Sequence, residues 1–451
     1  MGILDAALLA ALIATAIVWM LPRNGWHPRW LAAACALILA VAQLLVEGAY
    51  WQFIAAYGAV AVAFAWRGIA RRRPASPSRP RLRTVAMIAL AGLALGPWLI
   101  APAVPNLPRP SGPYAVGSAI YRWVDPARPE LASANVAGPR NVVAQIFYPA
   151  VPGTGGAPPP YIDGLGELPE SVAGLPRWFM RGFGRIDSHV RLGATLSPAR
   201  QSWPLLLFSP GYGAPRAYYT SLAADLASRG MIVMVFDHPF ESAVTRLANG
   251  RVVAASDGFA KIAGDPAREA AFMVAEQDVR AHDLRFGLDR LLAVPPFAGR
   301  IRRDRVVAGG HSFGGAAAVT AAMQDARIAA AINIDGTIYG DVSALRLTRP
   351  FLLIESDFAA SPHGDQYRAA ADRLMATAPG AARYDLAGAN HFSFTDGPLF
   401  FAPLGRKLLG MVLGGGRDTA EVHRLAADLV ERFVAAGGCT DRLCPRGVQR
   451  R

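Results

Sequence analysis

Arg305-Val-Val-Ala-Gly-Gly-His-Ser-Phe-Gly-Gly-Ala-Ala-Ala318 is the stretch on which the reading of this chain turns. Within it, Gly310-His311-Ser312-Phe313-Gly314 fits G-x-S-x-G, a match that recurs by chance in unrelated proteins. Context gives it weight. The apolar run Arg305–Gly309 leads in and a small-residue helix from Gly315 leads out, so the serine is expected on a sharp strand-to-helix turn. Glycines permit that bend and a close strand–helix approach, which lifts Ser312 Oγ out of the turn. The helix N-terminus adds amide N–H groups and partial positive charge beside the reacting carbon.

Outward from this turn, short apolar runs alternate with helical patterns. The runs are Leu205–Ser209, Met231–Phe236, Arg305–Gly309, Ala329–Ile334 and Phe351–Glu355; the helices are Tyr218–Arg229, Ala267–Leu292 and Gly314–Gln324. Continuous apolar strands with helical crossovers predict a mostly parallel sheet covered by helices, the α/β-hydrolase fold, over residues 114–438. Two earlier strands are expected at Tyr114–Val124 and Asn141–Tyr148. Residues 161–198 read as irregular and rich in Leu, Trp and Phe, a cover over the site. Residues 102–113 read as an extended Pro-rich linker and 439–451 as a tail.

A serine at its free pKa is a poor nucleophile and needs a base. His391 is the best candidate: it follows a last strand, Ala382–Leu386, and comes after Ser312 in chain order. His311 reads as the variable position of the elbow. His282 and His423 read as surface residues of helices, and His189, His238 and His363 as loop residues open to substrate contact. The acid, which holds the base's tautomer, is either Asp335 or Asp357, each at the end of a strand. Asp396 reads as a loop cap. An oxyanion hole needs two convergent amides: Phe313 offers one, and Tyr212 in Ser209-Pro-Gly-Tyr-Gly-Ala214 the other. No metal and no cofactor is implied.

At these residues the chain resembles the plasma-type platelet-activating factor acetylhydrolase family and its bacterial relatives, over roughly residues 114–400. Leu207-Phe-Ser-Pro-Gly-Tyr-Gly213 resembles that family's oxyanion segment F-S-H-G-x-G, and Asp225-Leu-Ala-Ser-Arg-Gly230 the D-L-A-S-x-G that follows it. Gly310-His-Ser-Phe-Gly-Gly315 is similar to its nucleophile motif, Asn333-Ile-Asp-Gly336 to its acid motif and His391-Phe-Ser-Phe394 to its base motif. The resemblance implies Asp335 as the acid and a short-acyl ester as substrate, such as an sn-2 acetyl or oxidised phospholipid. Pro210 stands where the family has His, and Asp237-His238-Pro239 where it has E-H-R; both are expected near the pocket rim, where they would bear on substrate choice.

The N-terminal quarter is different in kind. Ile3–Leu21, Trp30–Val46, Ala49–Trp66 and Thr84–Ile100 have the length and apolarity of transmembrane helices, so residues 1–101 are expected to form a four-helix membrane anchor. Arg67, Arg71, Arg72, Arg73, Arg79, Arg81 and Arg83 place the third loop on the cytoplasmic side and the catalytic domain outside, in a multi-pass cell-membrane protein. This concentration of Arg also accounts for much of the net charge of +13, so nucleic acid is excluded as a partner. Asp5 and Glu47 lie at span ends, which favours an anchor over a transporter. Cys439 and Cys444 could close a short disulfide loop in an extracytoplasmic tail, and Cys35 reads as an inert apolar residue. The expected function is therefore a membrane-embedded serine carboxylic ester hydrolase acting on a lipid or small ester. The alternatives are a lipase or polyester-type carboxylesterase, an acyltransferase with the same triad, or a non-catalytic membrane receptor.

Overall fold

The structure is a computed structural model of the 451-residue chain, and it describes residues 2–20, 27–58, 61, 80–131, 138–167, 170–172, 174–357, 363–438 and 449–450. The chain forms two compact units. The first takes Met1–Pro105, Pro176–Phe183 and Phe400–Leu408; the second takes Asn106–Leu175, Gly184–Leu399 and Leu409–Arg451.

The first unit is helical, with α1 (Ile3–Met20), α2 (His27–Val46) and α3 (Pro80–Ile100). The amides of Leu4 and Asp5 donate to the Glu47 carboxylate at 3.2 and 3.1 Å, where the positive end of the helix dipole favours an acid. Gln43 donates to Asp5 at 3.0 Å. Leu8, Ala40, Phe53, Ala56 and Ala94 close the interior. Trp51, Phe179 and Phe401 form an aromatic row, with centroids 5.8 Å apart for Trp51–Phe179 and 5.6 Å for Phe179–Phe401. Among the described residues, no helix is long and apolar enough to cross a membrane, so the expected four-span anchor is not met there. Asp5 lies in the first turn of α1 and Gln43 in the last turn of α2, and the expected third span opens on a 3-10 turn, Trp51–Phe53. Most of the rest of that span, most of the Arg-rich loop, and Cys439 and Cys444 lie outside the described residues. Cys35 is a free thiol exposed on α2.

The second unit holds the main sheet. Its strands are β1 (Ala115–Pro129), β2 (Pro139–Ala150), β3 (Val190–Leu192), β4 (Trp203–Ser209), β5 (Ile232–Asp237), β6 (Ile301–His311), β7 (Ala330–Ile334), β8 (Phe351–Glu355), β9 (Ala382–Asp385) and β10 (Gln449–Arg450). They lie in the order β10-β9-β8-β7-β6-β4-β5-β2-β1-β3. Strands β4 to β9 are mutually parallel, and β2 and β10 run against their neighbours. Every residue of β5, β7 and β8 is buried, as continuous apolar strands covered on both faces require. The covering helices include α4 (Thr220–Ser228), α5 (Pro266–Ala293), α6 (Phe313–Gln324), α7 (Asp365–Thr377) and, after the short α8 (Pro403–Leu413), α9 (Thr419–Ala436). This is the α/β-hydrolase arrangement expected from the sequence, with two differences. Val190–Leu192, within the segment expected to be irregular, pairs with β1 as the edge strand. The expected spacer is docked over Asn106–Pro113: Ser111 N–H donates to Asp225 at 2.6 Å, Gly112 N–H donates to Ser228 Oγ at 2.8 Å, and Leu107 is buried.

Strands β4, β6 and β7 are adjacent, so the loop after Ser209, the turn after His311 and the turn after Ile334 leave the sheet side by side. The first two nearly fuse. A Cβ on Gly314 would lie 1.9 Å from Ser209 O, and one on Gly310 would lie 2.3 Å from Gly314 C. Gly314→Ala should therefore lower stability by about 1–3 kcal/mol through overpacking. Urea unfolding measures this, and an unchanged midpoint would show that strand and helix have slack there.

Candidate active site

Ser312 stands between β6 and α6 with φ 55° and ψ −129°, a backbone conformation that costs a non-glycine residue about 1–3 kcal/mol. The turn is held from both sides: Ser312 N–H donates to Ile334 O at 2.7 Å, and Gly315 N–H donates to Ser312 O at 2.9 Å. Asp335 follows β7 and also has positive φ, 56°. The Asn333 side chain closes that turn, accepting Gly336 N–H at 2.9 Å and donating to Gly336 O at 2.8 Å. His391 opens a 3-10 turn, His391–Phe394, whose capping box pairs Asn390 and Ser393 reciprocally.

These three local devices meet. His391 Nε2 lies 3.0 Å from Ser312 Oγ, and His391 Nδ1 lies 2.7 Å from Asp335 Oδ2. Asp335 also accepts from Ser356 N–H at 2.9 Å, from Ser356 Oγ at 3.0 and 2.9 Å, and from His363 Nε2 at 3.0 Å. Burial alone would raise the Asp335 carboxyl; the hydrogen bonds from His363 and His391 outweigh it and hold the group well below the usual carboxylate range. Asp335 is therefore an ionised acceptor that fixes the imidazole with Nδ1–H toward it and leaves Nε2 free to take the serine proton. Asp357, the other candidate acid, is spent elsewhere: it accepts Gly388 N–H at 2.7 Å and so shapes the loop leading to the base.

Among the described residues, neither Tyr212 N–H nor Phe313 N–H has a hydrogen-bond partner. Their segments adjoin: a Cβ built on Gly211 would lie 3.4 Å from Ser312 Cβ. A cavity of about 410 Å³ opens over Ser312, lined also by Tyr212, Met273, Phe313, Thr337, Tyr339 and His363. No group of three or more metal-ligating side chains is found among the described residues.

Several residues hold other positions than those expected. His311 is a strut rather than a free variable position. Gly211 N–H donates to Tyr219 OH at 2.9 Å, Tyr219 OH lies 2.8 Å from His311 Nδ1, and His311 Nε2 lies 2.9 Å from His391 O. Burial pushes the His311 imidazole well below its usual value, with His391 adding to the effect. A neutral ring accepts from Tyr219 at Nδ1 and donates to His391 O from Nε2. Pro210 and the Asp237-His238-Pro239 segment are buried and not at the rim, because His238 bridges Ser209 Oγ and Asp283 at 2.9 Å each. His423 is buried instead of exposed, and burial brings it down to about 4. Asp396, pushed up to about 7 by burial, accepts Ser221 N–H at 3.3 Å at the start of α4 and the Tyr161 hydroxyl at 2.9 Å. His363, read as a loop residue open to substrate contact, lines the cavity and reaches Asp335, whereas Ser356 and Tyr219 were not legible as site residues, since their partners lie in remote turns.

A family model described as platelet-activating factor acetylhydrolase, isoform II, matches residues 102–283 and 276–433. A probable 1-alkyl-2-acetylglycerophosphocholine esterase of Arthroderma benhamiae is 30% identical over 260 residues, which cover 54% of this chain and 62% of that protein. The platelet-activating factor acetylhydrolase of Cavia porcellus is 23% identical over 303 residues, covering 61% of this chain and 66% of its own length. The chain thus spans a little under two thirds of these relatives. Among solved structures, a ferulic acid esterase from Streptomyces cinnamoneus is similar with a TM-score of 0.64 at 27% identity, over 77% of this chain and 99% of that one.

If Asp335 orients the base, Asp335→Asn should slow fluorophosphonate labelling of Ser312 by on the order of 10³-fold or more, and Asp357→Asn should leave it within about tenfold. The reverse order of severity would return the acid's role to Asp357.

Proposed function

Because the chain belongs to the platelet-activating factor acetylhydrolase, isoform II, family, we propose that it is a serine carboxylic ester hydrolase acting on short-acyl esters of the 1-alkyl-2-acetylglycerophosphocholine type. The observation that carries this reading is the Asp335–His391–Ser312 chain of hydrogen bonds, 2.7 and 3.0 Å long, at the floor of a cavity. In the proposed mechanism Ser312 Oγ attacks the ester carbonyl as His391 Nε2 takes its proton, and Asp335 stabilises the imidazolium. The amides of Tyr212 and Phe313 receive the oxyanion. His391 then returns the proton to the leaving alcohol, and a water activated by the same nitrogen releases the acyl group from Ser312.

A short acyl group suits a cavity whose walls include Phe313, Tyr339 and Met273. The ferulic acid esterase likeness supports a second reading, a carboxylesterase for other small esters. Lipid-borne substrate is supported by large exposed apolar side chains. Leu404, Leu408, Met411 and Val412 are exposed along α8, and Ile3, Ile38, Leu45 and Val85 are exposed on the N-terminal helices. So much apolar surface is unusual against water alone. The N-terminal unit is accordingly proposed as the membrane-associated part of a cell-membrane protein, with the catalytic unit extracytoplasmic.

Chain-length profiling with p-nitrophenyl esters, methyl ferulate and sn-2 acyl phospholipids tests the substrate. Turnover is expected to be highest for acetyl and other short sn-2 groups, and a maximum at ten or more carbons would make the protein a lipase. Ser312→Ala should reduce turnover by on the order of 10³-fold or more with the fold retained. For topology, reporters fused after Arg83 and Pro113 should read cytoplasmic and extracytoplasmic respectively; a cytoplasmic signal at Pro113 would overturn the orientation.

A further inference from the structure

Helix α5 turns a guanidinium into the protein interior. Arg280 is 1% exposed, deeper than an arginine is placed without use for its donors. Its Nε donates to Glu241 at 2.7 Å, and Nη2 also reaches the same carboxylate, which neutralises the charge. The remaining hydrogen bonds all fall on one segment. Nη1 donates to Ser209 Oγ at 3.2 Å and to Pro210 O, and Nη2 approaches Gly211 O at 3.5 Å. The guanidinium carbon also sits 4.7 Å over the ring of Phe313. Arg280 therefore touches both segments that could supply an oxyanion amide.

We propose that Arg280 is the positioning residue of the oxyanion hole, holding the carbonyls of Pro210 and Gly211 so that Tyr212 N–H faces Ser312. The reason lies in peptide geometry. In a planar trans peptide, C=O and N–H point in opposite directions, so the Gly211 carbonyl, which accepts Ala214 N–H at 3.1 Å and is approached by Arg280, sets the Tyr212 N–H pointing away from both. Ser312 adjoins this segment: a Cβ built on Gly211 would lie 3.4 Å from Ser312 Cβ. A buried cation on the carbonyl side also polarises those peptides, which strengthens them as donors. The guanidinium is itself fixed by Glu241, and the segment is held at its start by the Ser209–His238–Asp283 contacts and at Gly211 N–H by Tyr219. His238 contributes as a neutral ring, lowered by burial and by Arg280, with Nδ1–H toward Asp283 and Nε2 accepting from Ser209.

The proposal rests on the ester-hydrolase reading above. A merely structural Arg280–Glu241 pair would, when broken, depress every substrate alike. A positioning role predicts a loss that follows the oxyanion, and a thionoester separates the two, since its sulfur accepts hydrogen bonds poorly and draws little from the hole. The experiment uses the full chain, Arg280→Lys and Arg280→Gln, each assayed on an acetate oxoester and its thionoester, with urea midpoints measured alongside. Complete loss of an oxyanion donor costs about 10²–10³-fold, so Arg280→Gln should lower oxoester kcat/KM at least about tenfold, and thionoester kcat/KM by less than about threefold. Arg280→Lys, which keeps the charge but cannot span both carbonyls, should fall between. A folded variant with the parent's oxoester-to-thionoester preference overturns the proposal. So does loss of the fold in both variants, because the guanidinium would then be a requirement of folding and not of the hole. A parent chain that turns over neither ester sinks the hydrolase reading instead, and the proposal with it.

Discussion

At Ser209 and Gly314 two backbones approach so closely that no Cβ fits between them. The site depends on that contact. It sets the end of β4 against the start of α6, so the oxyanion segment and the nucleophile are neighbours before any side chain is considered. It also forces the chain between them into a turn with positive φ at Ser312. A turn of that kind persists only where surrounding structure over-determines it. Here the hydrogen bond to Ile334 and the packing of Gly310 against Gly314 do so. Strand β7 is drawn in by the same bond, which brings the Asp335 turn beside the elbow.

The fold was legible where chemistry and periodicity coincide. The apolar runs Met231–Phe236, Ala329–Ile334 and Phe351–Glu355 became the buried parallel strands β5, β7 and β8, because a strand covered on both faces has no polar side to show. Ser312, Asp335 and His391 were legible because each follows a strand in a turn of recognisable composition, and the structure brings the three together. The acid could not be chosen from local pattern alone, since Asp335 and Asp357 both end strands. What separates them is the accumulation of donors around one carboxylate.

The supporting residues were illegible because their partners are distant in sequence. Arg280 lies 71 positions from Ser209, and Tyr219 lies 92 from His311. One signal was available. Along α5, Met273, Gln277, Arg280, Leu284, Leu288 and Leu291 are buried at helical spacing. Gln277 and Arg280 are thus polar groups on an apolar stripe, and such groups require buried acceptors. The Pro-rich segment was misjudged for a related reason. Proline content foretells an extended backbone, but Leu107 and the amides of Ser111 and Gly112 are what dock it.

The cavity over Ser312 has walls of two sorts. One is made of residues bound into the hydrogen-bonded apparatus, Asp335, Ser356, His363 and His391. Changing any of them disturbs its partners, because groups sharing a network do not act independently. The other wall is Met273, Thr337 and Tyr339, which line the same space. Among the described residues, none of their side chains makes a hydrogen bond to the triad or to the oxyanion segment. Bulk can be traded there while the catalytic bonds stay as they are. On the proposed function, a descendant of this chain would acquire a new acyl specificity by drift along one side of its pocket, with the hydrogen-bonded apparatus inherited unchanged.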